Sequence, residues 1–541
     1  MGPLAGLDEG QLRAVARIVG GGDVVSVLTA PAGAGKTRTL GAATAVWQQA
    51  GYRVVGVAPS ARAAAELGAA TGTRTDTLAK WLHTRDHLPG LPSRSADRTW
   101  ASLDERTVLI IDETSMVSTL DLDRVTTLAA HAGGKVVLVG DPAQIGVING
   151  PGGMLAALTH AGHGVELTEI HRFTHPWERA ASRRLRTGDP DVLTAYDGHD
   201  RLHACGDAEQ ALDRVFTHWA AERAQGADVL MLAWTRADVD ALNGRARTAA
   251  VHAGQVHGPA VVAGGHTWQA GDLLLTRRND RRLASGDAHV RNGDRWHVLG
   301  PGPDGGLLVE ELTGRGRLTL PADYLANHCD YGWASTIDAA QGATADLGIV
   351  MVRPGLDREH LYVALTRGRH ANHAYTTLEP SPGDTDHHQP PPAGATRATG
   401  GGAARTCDPE EEASQLLATA LASSGAQHTA HTFRDQARRH AAATATPPAS
   451  RPAVPRPGPA PNPAARPGTP GPQPRPWGGQ QADDEPMPLA HVTAIEQLRH
   501  VQWEREQLHQ QQQHLAAVLQ QAHADREAAP RWAVRPAGRW Q

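Results

Sequence analysis

Six short runs of consecutive apolar, mostly β-branched residues punctuate the first 380 positions: Val24–Leu28, Val54–Val57, Val108–Ile111, Val136–Val139, Val229–Leu232 and Gly348–Val352. Longer stretches rich in Ala, Leu and Arg separate them. An unbroken apolar run bounded by polar turns suits a strand buried on both faces. Alternation of such runs with helical segments predicts an α/β fold with parallel sheets. Residues 256–320 break the rhythm with short strands, Gly-rich turns and the hairpin signal Asn292-Gly293, which predicts a small β-barrel inserted into the α/β scaffold.

Proline marks where this pattern stops. Of 37 prolines, 13 lie between Pro447 and Pro476, and apolar runs cease near Tyr375. Residues 381–488 therefore read as a disordered, Pro-rich linker. Beyond it, Val492, Ile495, Leu498, Val501, Leu508, Leu515 and Leu519 recur at helical spacing, so 489–528 reads as an amphipathic helix or short coiled coil, for self-association or partner docking.

Composition narrows the class further. A chain of 541 residues has room for roughly three domains. Its formal charge of -5 neither demands nor forbids a polyanionic partner, since local patches matter more than the sum. The tail is neutral, with 15 Arg against 15 acidic residues, so the first 380 residues carry the whole charge. Cys205, Cys329 and Cys407 are far apart and form no CxxC pair, which disfavours a structural zinc site or a disulfide framework. No run of about 18 apolar residues occurs, and the N-terminus does not read as a leader. The expectation is a cytoplasmic protein with no membrane span.

The chemistry begins at Ala30-Pro31-Ala32-Gly33-Ala34-Gly35-Lys36-Thr37. This segment follows a strand-like run and precedes the helix-like Arg38–Gln49, the context a phosphate-binding loop requires. Small residues let backbone N–H groups wrap a phosphate, Gly33 and Gly35 permit the torsions, Lys36 neutralises phosphates, and Thr37 offers a hydroxyl to Mg²⁺. The competing reading is a chance Gly-rich turn. Val108–Ile111 then runs into Asp112-Glu113, a carboxylate pair at the C-terminal edge of a strand. Asp112 suits Mg²⁺ through water and Glu113 suits activation of an attacking water; alternatively the pair starts a helix, with Asp112 as its cap. Val136–Val139 ends in Gly140-Asp141-Pro142-Ala143-Gln144. There Gln144 is a candidate γ-phosphate sensor or part of an ordinary turn.

With these stand Leu7–Gln11, Ala58–Ala64, Asp112–Met116, Gly140–Gln144, Glu169-Ile170-His171-Arg172, Ala334–Gly342 and Tyr362–Arg369. In this order they resemble the motif series of superfamily 1 helicases of the RecD-like branch, and most closely the helicase portion of MobF-type conjugative relaxases. The resemblance covers about 375 residues. It implies two RecA-like domains, 1–180 and 181–255 joined with 321–380, and an SH3-like insertion at 256–320. It implies ATP and Mg²⁺ as cofactors, with Gln11 reading adenine, and Gly33, Ala34, Gly35, Lys36, Thr37 and Arg38 at the nucleotide. Gln144 couples phosphate state to movement, Gln341 and Gly342 face the nucleotide, and Arg172 and Arg367 are arginine fingers. Ser60, Arg62, Thr75 and Thr77 become candidate contacts to single-stranded DNA, against the alternative of turn and helix-cap residues. A strand-splitting pin is expected before the carboxylate pair, within Leu88–Trp100.

The sequence departs from the family at Asp338, where a histidine is usual. The nicking domain of full relaxases is also missing ahead of Gln11, so the expectation is a helicase without nicking activity. The leading expectation is an ATP-dependent helicase or translocase on single-stranded DNA and duplex junctions, moving 5′ to 3′, linked to conjugation and its proteins. The alternatives are a RecD-like repair helicase and a scaffold that binds DNA or partners without turnover.

Overall fold

A computed structural model describes residues 3–380 and 408–434, apart from positions 148, 149, 286, 287, 313, 315, 428, 430, 431 and 433. All six apolar runs form strands. The first lobe holds β1 (Val25–Thr29), β2 (Arg53–Ala58), β3 (Thr75–Thr77), β4 (Thr107–Ile111), β5 (Lys135–Gly140) and β6 (Gly164–Glu166), in the spatial order β3-β2-β4-β5-β1-β6. Every pairing is parallel. The apolar runs are unbroken because both faces are covered. Val108 and Ile110 join the helices Glu9–Gly20 (α1) and Lys36–Gln49 (α2) on one face, while Leu109 and Ile111 pack with Trp81, Trp100 and Val125 on the other. The helix Ala61–Thr71 (α3) follows β2. Strand order places the loops leaving β1 and β4 on either side of β5, at one edge of the sheet, where ligands bind in open α/β folds.

The chain continues through the helix Pro176–Thr187 (α4) into a second lobe with β7 (Leu202–Ala204) and β8 (Val229–Ala233). It then leaves for an insertion: β9 (His257–Ala263), β10 (His266–Ala270), β11 (Leu273–Thr276), β12 (Asp280–Ser285), β13 (Ala288–Val290), β14 (Arg295–Pro301), β15 (Leu307–Glu311), β16 (Arg317–Leu320) and β17 (Cys329–Tyr331). It returns with β18 (Ala334–Thr336), β19 (Ala345–Val352), the helix Arg358–Ala364 (α5) and β20 (Gly368–Thr376). The second lobe's sheet is parallel throughout, in the order β18-β8-β19-β20-β7.

The insertion is antiparallel. Its five-stranded sheet runs β16-β15-β14-β11-β17, beside the ribbons β9–β10 and β12–β13. Because β17 pairs with β11, the sheet draws in residues beyond the span 256–320 expected for it. Trp268, Leu274, Trp296, Val298, Val309 and Leu320 form its separate core.

Two expectations need correction. Within the span 381–488 expected to be disordered linker, Pro409–Ala422 is a helix (α6). Leu417, Ala420 and Leu421 bury into the second lobe's core beside residues of α4 and α5, and this burial offsets the ordering cost. Residues 88–101 form no hairpin pin: Leu88–Gly90 is a 3₁₀ turn and Ala96–Ala101 a short helix. The Pro447–Pro476 segment and the expected helix 489–528 lie outside the described residues. No described helix is long and apolar enough to cross a membrane.

Candidate functional site

The phosphate loop forms between β1 and α2. Ala30, Ala32 and Ala34 are buried, and Gly33 and Gly35 both take φ +80°. Only glycine adopts that conformation without strain, and contacts exclude a larger residue as well. A Cβ on Gly33 would collide with Arg172, and one on Gly35 with the Gln11 amide. Lys36 opens α2, whose first N–H groups are free to face an anion. Thr37 and Arg38 are exposed at this mouth.

Lys36 meets the carboxylate pair directly. Its Nζ lies 2.7 Å from Glu113 Oε1 and 4.0 Å from Asp112 Oδ1. Burial alone would depress the Lys36 pKa, but Glu113 and Asp112 outweigh it and hold the ammonium above its usual range. Burial likewise works against the Glu113 charge, yet Lys36 wins and keeps this carboxyl below its ordinary value. For Asp112 burial dominates, with Lys36 offsetting only part of it, and the pKa is pushed up to about 6. The helix-cap alternative for Asp112 has a local counterpart, since Asp112 Oδ1 accepts the Glu113 N–H at 2.9 Å. Glu113 itself takes φ +48°, a left-handed backbone that a non-glycine residue adopts at a cost. Its Oε2 is buried without a hydrogen-bond partner among the described residues, as are both polar atoms of the Gln341 amide. Glu113, Asp112, Gln341, Gly342, Ser60 and Arg62 line one cavity of about 40 Å³. That volume accommodates a water beside Glu113.

The second lobe supplies the opposite wall through Arg367. Arg172, which precedes α4 and lies against Gly33 of the phosphate loop, reaches across from the first lobe and donates from Nη1 to the Thr366 carbonyl at 2.6 Å. Arg367 is fully buried and donates to the carbonyls of Val363 (2.8 Å) and Ala343 (3.3 Å). Burial, with Arg172 close by, lowers its pKa to about 9. Burial also lowers that of Arg172. Both guanidinium groups thus stand near Glu113, with carbonyl or hydroxyl rather than carboxylate partners.

Gln11 lies against the loop, but its amide is engaged. Oε1 accepts the Asp8 N–H at 3.2 Å, and Nε2 donates to the Ala34 carbonyl at 3.5 Å. Gln144 is buried and donates to Asp141 Oδ2 at 3.3 Å. Asp338, the family departure, pairs at 3.4 Å with His360, which Asp357 also holds at 2.6 Å. These two carboxylates overcome the effect of burial and raise the His360 pKa to about 10.

Of the DNA candidates, Ser60 and Arg62 line the cavity beside Glu113, and Thr75 and Thr77 do not. Ser60 caps α3 by accepting the Ala63 N–H, and Thr77 accepts the Lys80 N–H, so both serve as helix caps. Arg62 pairs with Glu66 at 3.2 Å. Thr75 and Thr77 flank Asp76, whose two carboxylate oxygens both accept from the single nitrogen Nη2 of Arg281 in β12, at 2.5 and 2.6 Å. Sequence reading gave no role to Asp141, Arg186 or the hydroxyl of Tyr362. Tyr362 stood inside a recognised motif, but its partners lie hundreds of residues away.

Residues 6–207 match a family described as an AAA domain. The conjugal transfer protein TraA of Rhizobium radiobacter is 32% identical over 367 residues, which are 67% of this chain and 32% of that protein. The ATP-dependent RecD2 DNA helicase of Deinococcus radiodurans is 27% identical over 386 residues, covering 67% of this chain and 48% of that protein. A crystal structure of the Pif1 helicase from Candida albicans superposes with a TM-score of 0.46 at 17% identity, over 69% of this chain and 95% of that one. The chain spans about a third of the length of its TraA relatives.

Proposed function

We propose that this chain, a RecD-like member of the superfamily 1 helicases, is an ATP-driven motor that moves 5′ to 3′ on single-stranded DNA and opens duplex at a junction. The observation that carries the reading is the Lys36–Glu113 contact of 2.7 Å, with Arg367 in the facing wall and Arg172 bridging to it. A buried ammonium bound to two carboxylates is a site built for a phosphate. When ATP enters, Lys36 exchanges carboxylate for phosphate oxygens and Glu113 is released to accept a proton. The partnerless Oε2 then orients a water held in the adjoining cavity and takes its proton as the water attacks the γ-phosphorus and the bond to the β,γ-bridging oxygen breaks, releasing ADP and phosphate. Arg172 and Arg367, held by carbonyls that leave their charge unmatched, stabilise the negative charge spreading over the transferring phosphoryl group.

The donor set fits Mg²⁺. Asp112 offers a buried carboxylate at the C-terminal edge of β4, and Thr37 offers an exposed hydroxyl in the first turn of α2, both oxygen donors suited to a hard cation. When bound, the ion neutralises phosphate charge and helps orient the β- and γ-oxygens. DNA runs past Ser60, Arg62, Thr75 and Thr77. The capping hydroxyls accept from the backbone and can still donate to phosphate.

Similarity to TraA favours a role in conjugative transfer. Similarity to RecD2 supports a repair helicase as the second reading.

The test is ATP hydrolysis with and without single-stranded DNA, alongside unwinding of 5′- and 3′-tailed duplexes. We expect DNA to stimulate hydrolysis, the 5′-tailed substrate to be opened, and Lys36→Ala to abolish both. Unwinding that persists in Lys36→Ala refutes the reading.

A further inference from the structure

We propose that Tyr362 is a positioning residue whose hydroxyl locks the phosphate loop and the Gln144 loop to α5 and the Thr366-Arg367 segment that follows it when the lobes are closed. This inference rests on the ATPase reading above and adds a device to it.

Tyr362 lies on α5 and is fully buried. Its hydroxyl oxygen accepts the Ala32 N–H of the phosphate loop at 2.9 Å and donates to Asp141 Oδ2 at 3.0 Å. Asp141 is also fully buried. It accepts Arg186 Nε of α4 at 2.9 Å, the Ala143 N–H at 3.2 Å and Gln144 Nε2 at 3.3 Å. One hydroxyl therefore ties together the loop after β1, the loop after β5, and a helix 330 residues away from the first.

The arginines belong to the same unit. Thr366, which receives Arg172, and Val363, which receives Arg367, lie within four residues of Tyr362. Packing reinforces the connection, because Ala32 and Ile145 of the first lobe share a continuous core with Tyr362, Leu361 and Leu365. When the lobes part, Ala32 and Asp141 lose the hydroxyl in one event. The loop geometry shown here thus depends on closure.

The chemistry sets where the effect falls. Ala32 N–H points to the tyrosine, so nucleotide capture by Lys36 and the later loop N–H groups does not use it. The alignment of Lys36, Glu113 and both arginines matters when charge develops on the phosphoryl group. Loss of the hydroxyl should therefore lower kcat and spare KM.

The test uses the full chain with saturating single-stranded DNA. Tyr362→Phe keeps the ring and removes the hydroxyl. We expect kcat for ATP hydrolysis to fall at least about tenfold, the scale set by a small misplacement of catalytic groups. KM and the affinity for a fluorescent ATP analogue should change less than about threefold. Tyr196→Phe is the control, because Tyr196 is buried in the same core and its hydroxyl has no partner among the described residues. Its kcat should match wild type. Asp141→Asn repeats the test from the other end of the bond and serves if Tyr362→Phe is insoluble. Because Asp141 also holds Arg186 and Gln144, it should lower kcat at least as far, again with KM changed less than about threefold.

A Tyr362→Phe kcat within twofold of wild type, an equal fall in Tyr196→Phe, or a rise in KM as large as the fall in kcat would overturn the proposal. Wild-type protein without DNA-stimulated hydrolysis would instead refute the ATPase reading, before any variant is compared.

Discussion

His203, His218 and His373 gather around Tyr375 in the second lobe, and their hydrogen bonds dictate their protonation. Arg201 donates to His373 Nε2 at 2.7 Å, so that nitrogen must be an acceptor. The proton then sits on Nδ1 and is donated to His203 Nε2 at 3.1 Å, an assignment that follows from the bonding pattern. His218 meets the Tyr375 hydroxyl at 3.0 Å. Burial, reinforced by Arg201, pushes His373 down to about 2, and burial lowers His203 to about 4. The ordinary value is about 6.5. Both groups are therefore neutral in the fold and take up protons more readily when unfolded. Their contribution to stability is complete above pH 6.5 and is lost as the pH falls below it, down to about 4 for His203 and about 2 for His373. We expect the unfolding midpoint to drop across that window, and His203→Gln with His373→Gln to flatten the slope. An unchanged slope in the double variant would show that other groups carry it. No signal in the sequence could reveal this cluster, because 170 residues separate His203 from His373. The same limit hid the positive φ of Glu113, since nothing in Asp-Glu-Thr demands it. Lys36, Asp112 and Glu113 were legible because strand, loop and spacing are local, and the structure brings them into contact.

At the scale of elements, the parallel strands were legible for a simple reason: a strand buried on both faces must be apolar throughout. The short edge strands β3, β6 and β7, of three residues each, carry no such run and were not readable. The helix α6 is the instructive miss. Asp408 caps it, Pro409 opens it and Glu410, Glu411 and Glu412 fill its first turn, all ordinary start signals. The prolines on both sides drew the reading toward disorder. The packing is concrete. Leu417 is fully buried, Arg358 N–H donates to the Ser423 carbonyl at 3.0 Å, and Gly425 N–H donates to Glu359 at 2.9 Å. The segment then reaches the first lobe, where Gln427 donates to the Val147 carbonyl at 3.0 Å. The helix is thus part of the motor rather than a spacer. Leu417→Ala should destabilise it by about 2–5 kcal/mol, the usual cost of emptying a buried leucine site. Chemical denaturation of the full chain checks this. A loss below 0.5 kcal/mol, well under that range, would mean that α6 does not pack as described.

Across the whole molecule, the insertion is joined to the first lobe by a contact that its own strand pairing does not provide. Arg281, at the start of the β12–β13 ribbon, grips Asp76 with both carboxylate oxygens engaged, across 205 residues of sequence. The Arg281 side chain is 49% exposed, so the pair contributes little to folding, at most about 1 kcal/mol. Its position matters more than its strength, because Asp76 lies between Thr75 and Thr77, on the face assigned to DNA. Two roles are separable. As a tie, Arg281 holds the ribbon over the strand's path; as a phosphate ligand, it leaves Asp76 when DNA arrives. A tie depends on opposite charges and tolerates their exchange, whereas a phosphate ligand needs the cation at position 281. Arg281→Asp and Asp76→Arg should each weaken binding of single-stranded DNA several-fold with little change in the melting midpoint. For a tie, the exchanged pair restores affinity to within about twofold. For a phosphate ligand, the exchanged pair stays as weak as Arg281→Asp, and wild-type affinity falls more steeply with salt than that of Arg281→Asp, by about one ion in the logarithmic slope. The contact of Nη2 with both carboxylate oxygens and the neighbouring acidic Asp97 favour the tie. Recovery in the exchanged pair, measured by fluorescence anisotropy at two salt concentrations, is therefore the expected result.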